Sequence, residues 1–303
     1  MANAVVTGPT GVIGAALVRR LLEAGMEVYA VCRPQSQNLE CLPDNSLVHI
    51  VPCDLRELDG LQHLIGHEVD MFFHLGWMGT DSRANRFDMH LQLENISAAL
   101  VAVGAAKALQ AKVFVGAGSQ AEYGRVPEGR LSPDTAADPV SGYGMAKLCA
   151  GQMTRCLCRE AHIRHVWGRP LSVYGPHDGA STLIASALVA FRSGRRFSMT
   201  AGEQIWDYLY SADAAEAFYR MALAGRDGAV YTFGCGRARP LRAYIEEMRD
   251  VIDPDLEIGL GDVPYLPDQV MRMEADNTAI MTDTGWRPQI SFAEGVRKML
   301  ALC

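Results

Sequence analysis

Apolar residues in this chain fall into short continuous runs, separated by longer stretches in which they recur every three or four positions. The runs at 4–6, 28–32, 48–51, 71–75 and 112–116 read as buried strands, and helical patterns fill most of the intervals, beginning with residues 15–24. Such alternation predicts an α/β fold with a doubly wound, mostly parallel sheet over residues 1–168 and a ligand crevice at the carboxyl ends of the strands. Gly8, His74, Ser119 and Arg169 are each expected just past a strand end. Beyond Gly175 the pattern turns irregular, with a helix at 183–192, a loop at 203–207 and a helix at 213–224. No internal repeat, low-complexity tract or flexible linker interrupts it.

The first strand runs into Thr7-Gly8-Pro9-Thr10-Gly11-Val12-Ile13-Gly14 and then a helix. Gly8 permits a tight turn, Gly11 lets a pyrophosphate approach the backbone, and Gly14 lets the helix pack closely on the strand. The helix N-terminus supplies unpaired N–H groups for anionic oxygens. A strand, glycine-rich turn and helix in this order predict dinucleotide binding on a Rossmann-type sheet, with Gly8, Thr10, Gly11, Val12, Ile13 and Gly14 at the cofactor.

Further along, Ser141-Gly142-Tyr143-Gly144-Met145-Ala146-Lys147 places a phenol and an ammonium four residues apart, on one face of a helix. A phenol is too weak an acid to work near neutral pH unless a cation stabilises its phenolate. Tyr143 is therefore the candidate proton donor and Lys147 its partner, which predicts proton transfer coupled to hydride transfer.

Composition narrows the function. The 303 residues, 49% hydrophobic, suffice for a large core or for two lobes, and argue against disorder. A formal charge of −7 without any Lys/Arg-rich block opposes a nucleic-acid partner. The N-terminus lacks a signal-peptide pattern and no apolar run has bilayer-spanning length, so a cytoplasmic protein with no membrane partner is expected. The eight cysteines, at 32, 41, 53, 149, 156, 158, 235 and 303, are scattered. Only Cys156-Leu157-Cys158 is close, and it lacks metal-site spacing, so reduced structural thiols and no metal are expected.

The spacing Gly-x-x-Gly-x-x-Gly, followed by Ser119 and Tyr143-x-x-x-Lys147, resembles the extended short-chain dehydrogenase/reductase superfamily, in particular its nucleotide-sugar epimerase, dehydratase and reductase branch. The likeness extends through Asp54-Leu55, His74-Leu75-Gly76, Asn95, the segment Arg169-Pro170-Leu171-Ser172-Val173-Tyr174-Gly175-Pro176, Asp276 and Gly285-Trp286-Arg287-Pro288. It implies a smaller C-terminal α/β substrate lobe formed by about 169–204 and 236–303, with parts of about 205–235 returning to the first domain. It also implies that Ser119, two residues after Ala117, hydrogen-bonds the reacting oxygen beside Tyr143 and Lys147. Asp54 and Leu55 are then expected near the adenine, Leu75 and Gly76 near the middle of the cofactor, and Arg169 in the cofactor site as well. His74 is read as a packing residue. Family members often dimerise through two helices per subunit, which points to the helices around 91–109 and 143–160 and to a homodimer.

Where NAD-preferring members carry an acid at the end of the second strand, this chain has Cys32-Arg33. Arg33 suits a ribose 2′-phosphate, so the expected cofactor is NADP, with NAD as the alternative. Sugar 4,6-dehydratases of the branch carry Asp-Glu after the catalytic Thr, whereas here Gln120-Ala121 follow Ser119, which disfavours dehydration and leaves Glu122 structural or substrate-facing. The expected reaction is reduction of a keto group on a nucleotide-activated sugar of the 4-keto-6-deoxy type. The alternatives are an NAD-dependent epimerase working through a transient ketone, a reductase of a non-sugar carbonyl, and a cofactor sensor without turnover. Trp206-Asp207 stands where many members have Arg-Asp for the substrate diphosphate, with Trp206 expected to pack. Arg195, Arg196, Arg239 and Arg272 are substitute phosphate partners, and residues 77–83 form a loop over the substrate.

Overall fold

Side chains on a strand alternate between two faces, and β1 (Asn3–Thr7) uses both: Ala4 and Val6 enter one apolar core, Val5 the other. A strand buried on both sides needs helices on both sides. The computed structural model describes every residue except Gln37, Asp81, Pro127, Asp268 and Cys303, and it supplies those helices. After β1 come α1 (Val12–Glu23), β2 (Glu27–Cys32), β3 (Val48–Pro52), α2 (Leu61–Ile65), β4 (Met71–His74), α3 (Arg83–Phe87), α4 (Met89–Ala108), β5 (Val113–Ala117), α5 (Gly142–Glu160) and β6 (Arg164–Pro170). The second half holds β7 (Ser172–Tyr174), α6 (Leu183–Arg192), β8 (Phe197–Met199), β9 (Ile205–Trp206), β10 (Tyr208–Tyr210), α7 (Ser211–Ala224), β11 (Ala229–Phe233), β12 (Arg239–Pro240), α8 (Leu241–Ile252), β13 (Ile258–Leu260), α9 (Thr278–Thr284) and α10 (Phe292–Ala301).

Seven strands pair in the order β11-β6-β5-β4-β1-β2-β3, every ladder parallel. The chain runs outward from β1 through β2 and β3, then returns past β1 to β4 and continues the other way. That reversal opens a crevice at the carboxyl ends of β1 and β4. Leu17, Val18 and Leu21 of α1 and Phe218 and Met221 of α7 cover one face of the sheet. On the other face Ala102, Val103, Ala105 and Ala106 of α4 lie against Phe72 and Phe114.

Two close approaches constrain the backbone. A Cβ on Gly14 would sit 2.0 Å from the Gly8 carbonyl oxygen, and Gly8 itself has φ +68°, so the turn after β1 tolerates neither side chain. At the far side of the crevice, Cβ atoms on Gly116 and Gly151 would meet the Trp167 ring at 2.2 and 2.7 Å. Trp167 thus lies slotted between β5 and α5, almost fully buried.

The remaining elements form a second core in which Tyr174, Tyr210, Tyr244, Ile245, Phe292 and Val296 pack together. Short two-stranded pairings (β7 with β10, β8 with β13, β9 with β12) organise it. Asp207 joins it to the sheet: its buried carboxylate accepts backbone N–H bonds from Cys235 (2.6 Å), Gly236 (3.0 Å) and Ala275 (3.1 Å). Trp286 closes the chain onto α7 by donating to the Asp213 carbonyl at 2.9 Å.

Each strand expected in the first domain is present, with ends shifted by at most one residue, and α6 has the expected limits. Three expectations need correction. His74 is the last residue of β4 and Arg169 lies inside β6, so neither follows a strand end. The stretch 203–207 contains β9, whose two residues are too few to show a period. The first helix begins at Val12 rather than Ala15; its N-cap, Gly11, has no side chain to mark the start. The seven described cysteines are free, and Cys303 lies outside the described residues.

Replacing Gly14 with Ala is expected to cost about 1–3 kcal/mol through overpacking against Gly8. A chemical-denaturation midpoint equal to that of the parent protein would contradict this account of the turn.

Candidate active site

Ser119 lies two residues beyond β5, where it caps a 3-10 turn over Gln120–Tyr123. Its hydroxyl accepts the Ala121 N–H at 3.1 Å, while the Glu122 carboxylate accepts the Ser119 N–H at 2.9 Å. This reciprocal cap holds Ser119 in an extended conformation. Tyr143 sits in the first turn of α5, which is capped in turn by the Ser141 hydroxyl (3.1 Å to the Gly144 N–H). A Cβ on Gly144 would lie 2.3 Å from the Ala121 carbonyl oxygen, so the helix start and the 3-10 turn are in direct contact. That contact brings the Ser119 side chain to the Tyr143 phenol.

Lys147 is one turn further along α5 and buried. Its Nζ donates to the Ala117 carbonyl at 2.6 Å, lies 3.7 Å from the centre of the Trp77 ring and 5.9 Å from that of Tyr143. Burial pushes the ammonium down to about 7, against the pull of the Glu122 charge. Burial also raises the Tyr143 phenol; the Ser119 side chain and the Arg86 guanidinium, 5.2 Å from the ring centre, work against the rise.

Beneath these groups lies a buried charge pair. Glu122 is fully buried and accepts from the Arg169 Nε at 2.6 Å and the Trp167 indole at 3.1 Å, in addition to Ser119. The Arg169 guanidinium stacks 4.7 Å from the Tyr123 ring centre. Of the two roles open to Glu122 from the sequence, burial leaves the structural one.

At the sheet reversal, the Thr7 hydroxyl accepts the Gly76 N–H at 3.1 Å and lies 3.0 Å from His74 Nδ1. His74 is buried, which holds its imidazole down to about 3, with Lys147 adding to the effect, so it stays neutral. Its Nε2 has no partner in the structure. A Cβ on Gly76 would meet Leu55 at 2.8 Å, so Leu55 and the segment after β4 are adjacent. Asp54 caps the turn Leu55–Gly60 and accepts the Arg56 N–H at 3.0 Å. Arg33 is exposed just beyond β2.

The crevice fits a dinucleotide. No side chain caps α1, which leaves its first-turn N–H groups for a ligand, and a Cβ at Gly11 would meet only the Gly8 oxygen, at 3.7 Å. Among the described residues no His, Cys, Asp or Glu cluster suited to a metal is found.

The substitute phosphate partners are mostly engaged. Arg196 pairs with Asp262 and Glu257, Arg239 with Glu247, and Arg272 with Glu274 at 2.6 Å. Trp206 donates its indole N–H to the Ser172 hydroxyl at 2.8 Å and packs beside Tyr123, Leu131, Leu171 and Met273. Of the loop at 77–83, Asp81 lies outside the described residues. The sequence left two site residues without a role. Arg86 faces Tyr143 from α3, and buried Gln92 receives the Trp77 indole N–H. Neither belongs to a motif, and α3 is too short to show a period.

A family model described as the NAD-dependent epimerase/dehydratase family matches residues 4–234. The chain belongs to that family. It is an enzyme of the extended short-chain dehydrogenase/reductase superfamily, and its curated relatives are nucleotide-sugar enzymes. The UDP-glucose 4-epimerase of Mycolicibacterium smegmatis is 26% identical, over 97% of this chain and 96% of its own. The GDP-6-deoxy-D-mannose reductase of Pseudomonas aeruginosa is also 26% identical, over 82% of this chain and 84% of its own. Among solved structures, a UDP-N-acetylglucosamine 4-epimerase from Methanobrevibacter ruminantium in complex with UDP-N-acetylmuramic acid superposes with a TM-score of 0.88 at 22% identity, covering 100% of this chain and 99% of that one. RMD from Pseudomonas aeruginosa complexed with NADPH gives 0.82 at 24% identity, covering 99% and 98%. A UDP-glucuronic acid 4-epimerase from Bacillus cereus, solved with UDP-glucuronic acid and NAD, gives 0.85 at 20% identity, covering 99% and 98%. Structural neighbours in this family thus bind NADPH in one case and NAD in another. No helix among the described residues is long and apolar enough to cross a membrane.

Because Glu122 neutralises a buried guanidinium, Glu122→Ala is expected to destabilise the family fold by about 3–5 kcal/mol. Calorimetry of the variant checks this, and a transition within about 1 kcal/mol of the parent would remove Glu122 from the role assigned to it.

Proposed function

We propose that the protein is an NADP(H)-dependent reductase of a keto group on a nucleotide-activated sugar of the 4-keto-6-deoxy type. The observation that carries the reading is the meeting of Ser119, Tyr143 and Lys147 at the carboxyl edge of the sheet. A nicotinamide cofactor held in the crevice between β1 and β4 would supply the hydride for the carbonyl carbon. Gly8, Thr10, Gly11, Val12, Ile13 and Gly14 would hold its pyrophosphate end, Arg33 its ribose phosphate, Asp54 and Leu55 the adenine, and Leu75, Gly76 and Arg169 the inner part.

Ser119 orients the substrate oxygen and Tyr143 gives it the proton. The phenolate left on Tyr143 is held by the Lys147 ammonium and, across the ring, by Arg86. Lys147 would also hold the ribose next to the nicotinamide. Cys32-Arg33 supports NADP over NAD, because an acid there would repel a 2′-phosphate whereas a guanidinium pairs with it. Free thiols throughout the described residues suit a cytoplasmic site of action.

The same reading divides the chain into a dinucleotide domain, 1–168 with parts of about 205–235, and a substrate lobe from about 169–204 and 236–303. The place of β11 at the edge of the main sheet supports the return. A homodimer is supported by exposed Met89 and Leu93 on α4 and Met145, Met153 and Leu157 on α5.

Two observations favour other readings of the same site. The 97% coverage by a UDP-glucose 4-epimerase suits an epimerase that retains NAD and returns the hydride through a transient ketone. Trp206, with Arg196, Arg239 and Arg272 already paired, suits a carbonyl substrate without a diphosphate. Thermal protection by a panel of nucleoside diphosphates separates the last reading, since a diphosphate site is selectively stabilised.

Incubation with NADPH and nucleotide-linked 4-keto-6-deoxy sugars is expected to show loss of nicotinamide absorbance. Tyr143→Phe should lower that rate by about 10²–10⁴ while NADPH still binds; undiminished turnover would end the proton-donor assignment. NADPH is expected to bind more tightly than NADH by about tenfold or more, with Arg33→Ala narrowing the gap. Titration calorimetry that found NADH preferred would reverse the cofactor assignment.

A further inference from the structure

We propose that Trp77 is a positioning residue of the active site, whose indole face carries the Lys147 ammonium and whose ring packs at right angles to that of Tyr143. The inference deepens the reading of Tyr143 and Lys147 as the proton-handling pair and rests on it for its kinetic consequence, though not for the contact itself.

The observation is one of geometry. Lys147 Nζ lies 3.7 Å from the Trp77 ring centre, and the Trp77 and Tyr143 rings form a T-shaped pair, 6.1 Å between centres at 87°. An ammonium over an indole face is attracted to the ring quadrupole, and the attraction strengthens when water is excluded, as it is around buried Lys147. The indole is itself held in place. Its N–H donates to Gln92 Oε1 at 2.9 Å, and the Gln92 amide donates to the Asn85 carbonyl at 2.9 Å. Asn95 clasps the next residue at both ends, accepting the Met78 N–H at 2.7 Å and donating to the Met78 carbonyl at 3.0 Å. Gln92 and Asn95 are both buried on α4. A half-buried aromatic at the start of a loop is thus fixed by two buried amides, with its face turned to a catalytic cation. Packing alone would not require the amide clasp.

The charged and titratable groups around this contact come from four elements. Glu122 stands beyond Ser119 and favours the Lys147 charge; His74 at the end of β4 stays neutral; Tyr143 shares α5; and Arg86 of α3 covers the outer side of Tyr143. Within this ring Trp77 and the Ala117 carbonyl are the groups that touch Nζ directly among the contacts described. Burial and the Glu122 charge set how readily Lys147 keeps its proton; the Trp77 face adds attraction for the charged form and fixes where the ammonium stands relative to the phenol.

The test reads the contact without substrate. In protein labelled with 15N-tryptophan, the Trp77 indole resonance, identified by its loss in Trp77→Phe, is expected to shift with a midpoint near 7 as Lys147 titrates, and to stay flat in Lys147→Met. His74 titrates far below this window and Tyr143 above its ordinary range, so neither supplies the shift. An indole that does not respond between pH 5 and 9, or one that responds equally in Lys147→Met, overturns the proposal; if Lys147→Met fails to fold, the wild-type titration decides. In the kinetic arm, Trp77→Leu is expected to lower kcat with NADPH and the keto sugar by about tenfold, with little change in KM, and to move the alkaline fall of the pH profile to lower pH. Trp77→Phe, which restores a ring face, is expected to recover most of that loss. Equal rates and profiles for Trp77→Leu and wild type overturn the positioning role. Should the wild type itself fail to oxidise NADPH with any keto sugar, the proposed reaction falls while the resonance titration still judges the Trp77 contact.

Discussion

A single buried carboxylate holds the working end of this molecule together. Glu122 accepts from the Ser119 backbone, the Trp167 indole and the Arg169 guanidinium at once, linking the turn after β5 to β6. Removing a charge from such a set leaves its partner desolvated and unpaired, which is why the three donors and the acceptor are kept as a unit. Trp167 reaches Glu122 only because Gly116 and Gly151 leave a slot for its ring. The packing of two glycines is thereby converted into the position of a serine hydroxyl.

The same carboxylate acts at longer range on the groups above it. Burial alone would strip Lys147 of its proton and hold the Tyr143 phenol protonated; the Glu122 charge opposes the first effect and adds to the second. Arg86 from α3 lies over the Tyr143 ring, and Trp77 from the segment after β4 lies under the Lys147 ammonium. The charge state of a phenol and an ammonium thus depends on burial and on the side chains around them, not on their mutual spacing alone.

The second core follows a different logic. Aromatic side chains from β7, β10, α8 and α10 build it, while arginines at its rim are tied to carboxylates. Such pairing leaves the surroundings of Trp206 and Ser172 less positive than unpaired arginines would.

Much of this was legible in the amino-acid order. Strand alternation, the glycine turn and the Tyr143–Lys147 pair are local patterns, and local patterns are set by backbone periods of two and 3.6 residues that any sequence displays. Gly8 and Gly14 likewise declared themselves, because a turn that close needs glycine wherever it occurs. What the order of residues left open is everything made by contacts between distant segments: the burial of Glu122 against Arg169, forty-seven positions away, the cation over Trp77, and the two-residue strand β9. Charge state in particular belongs to this second group. A lysine's tendency to lose its proton depends on how much water the fold removes from around it, and only the packed structure decides that.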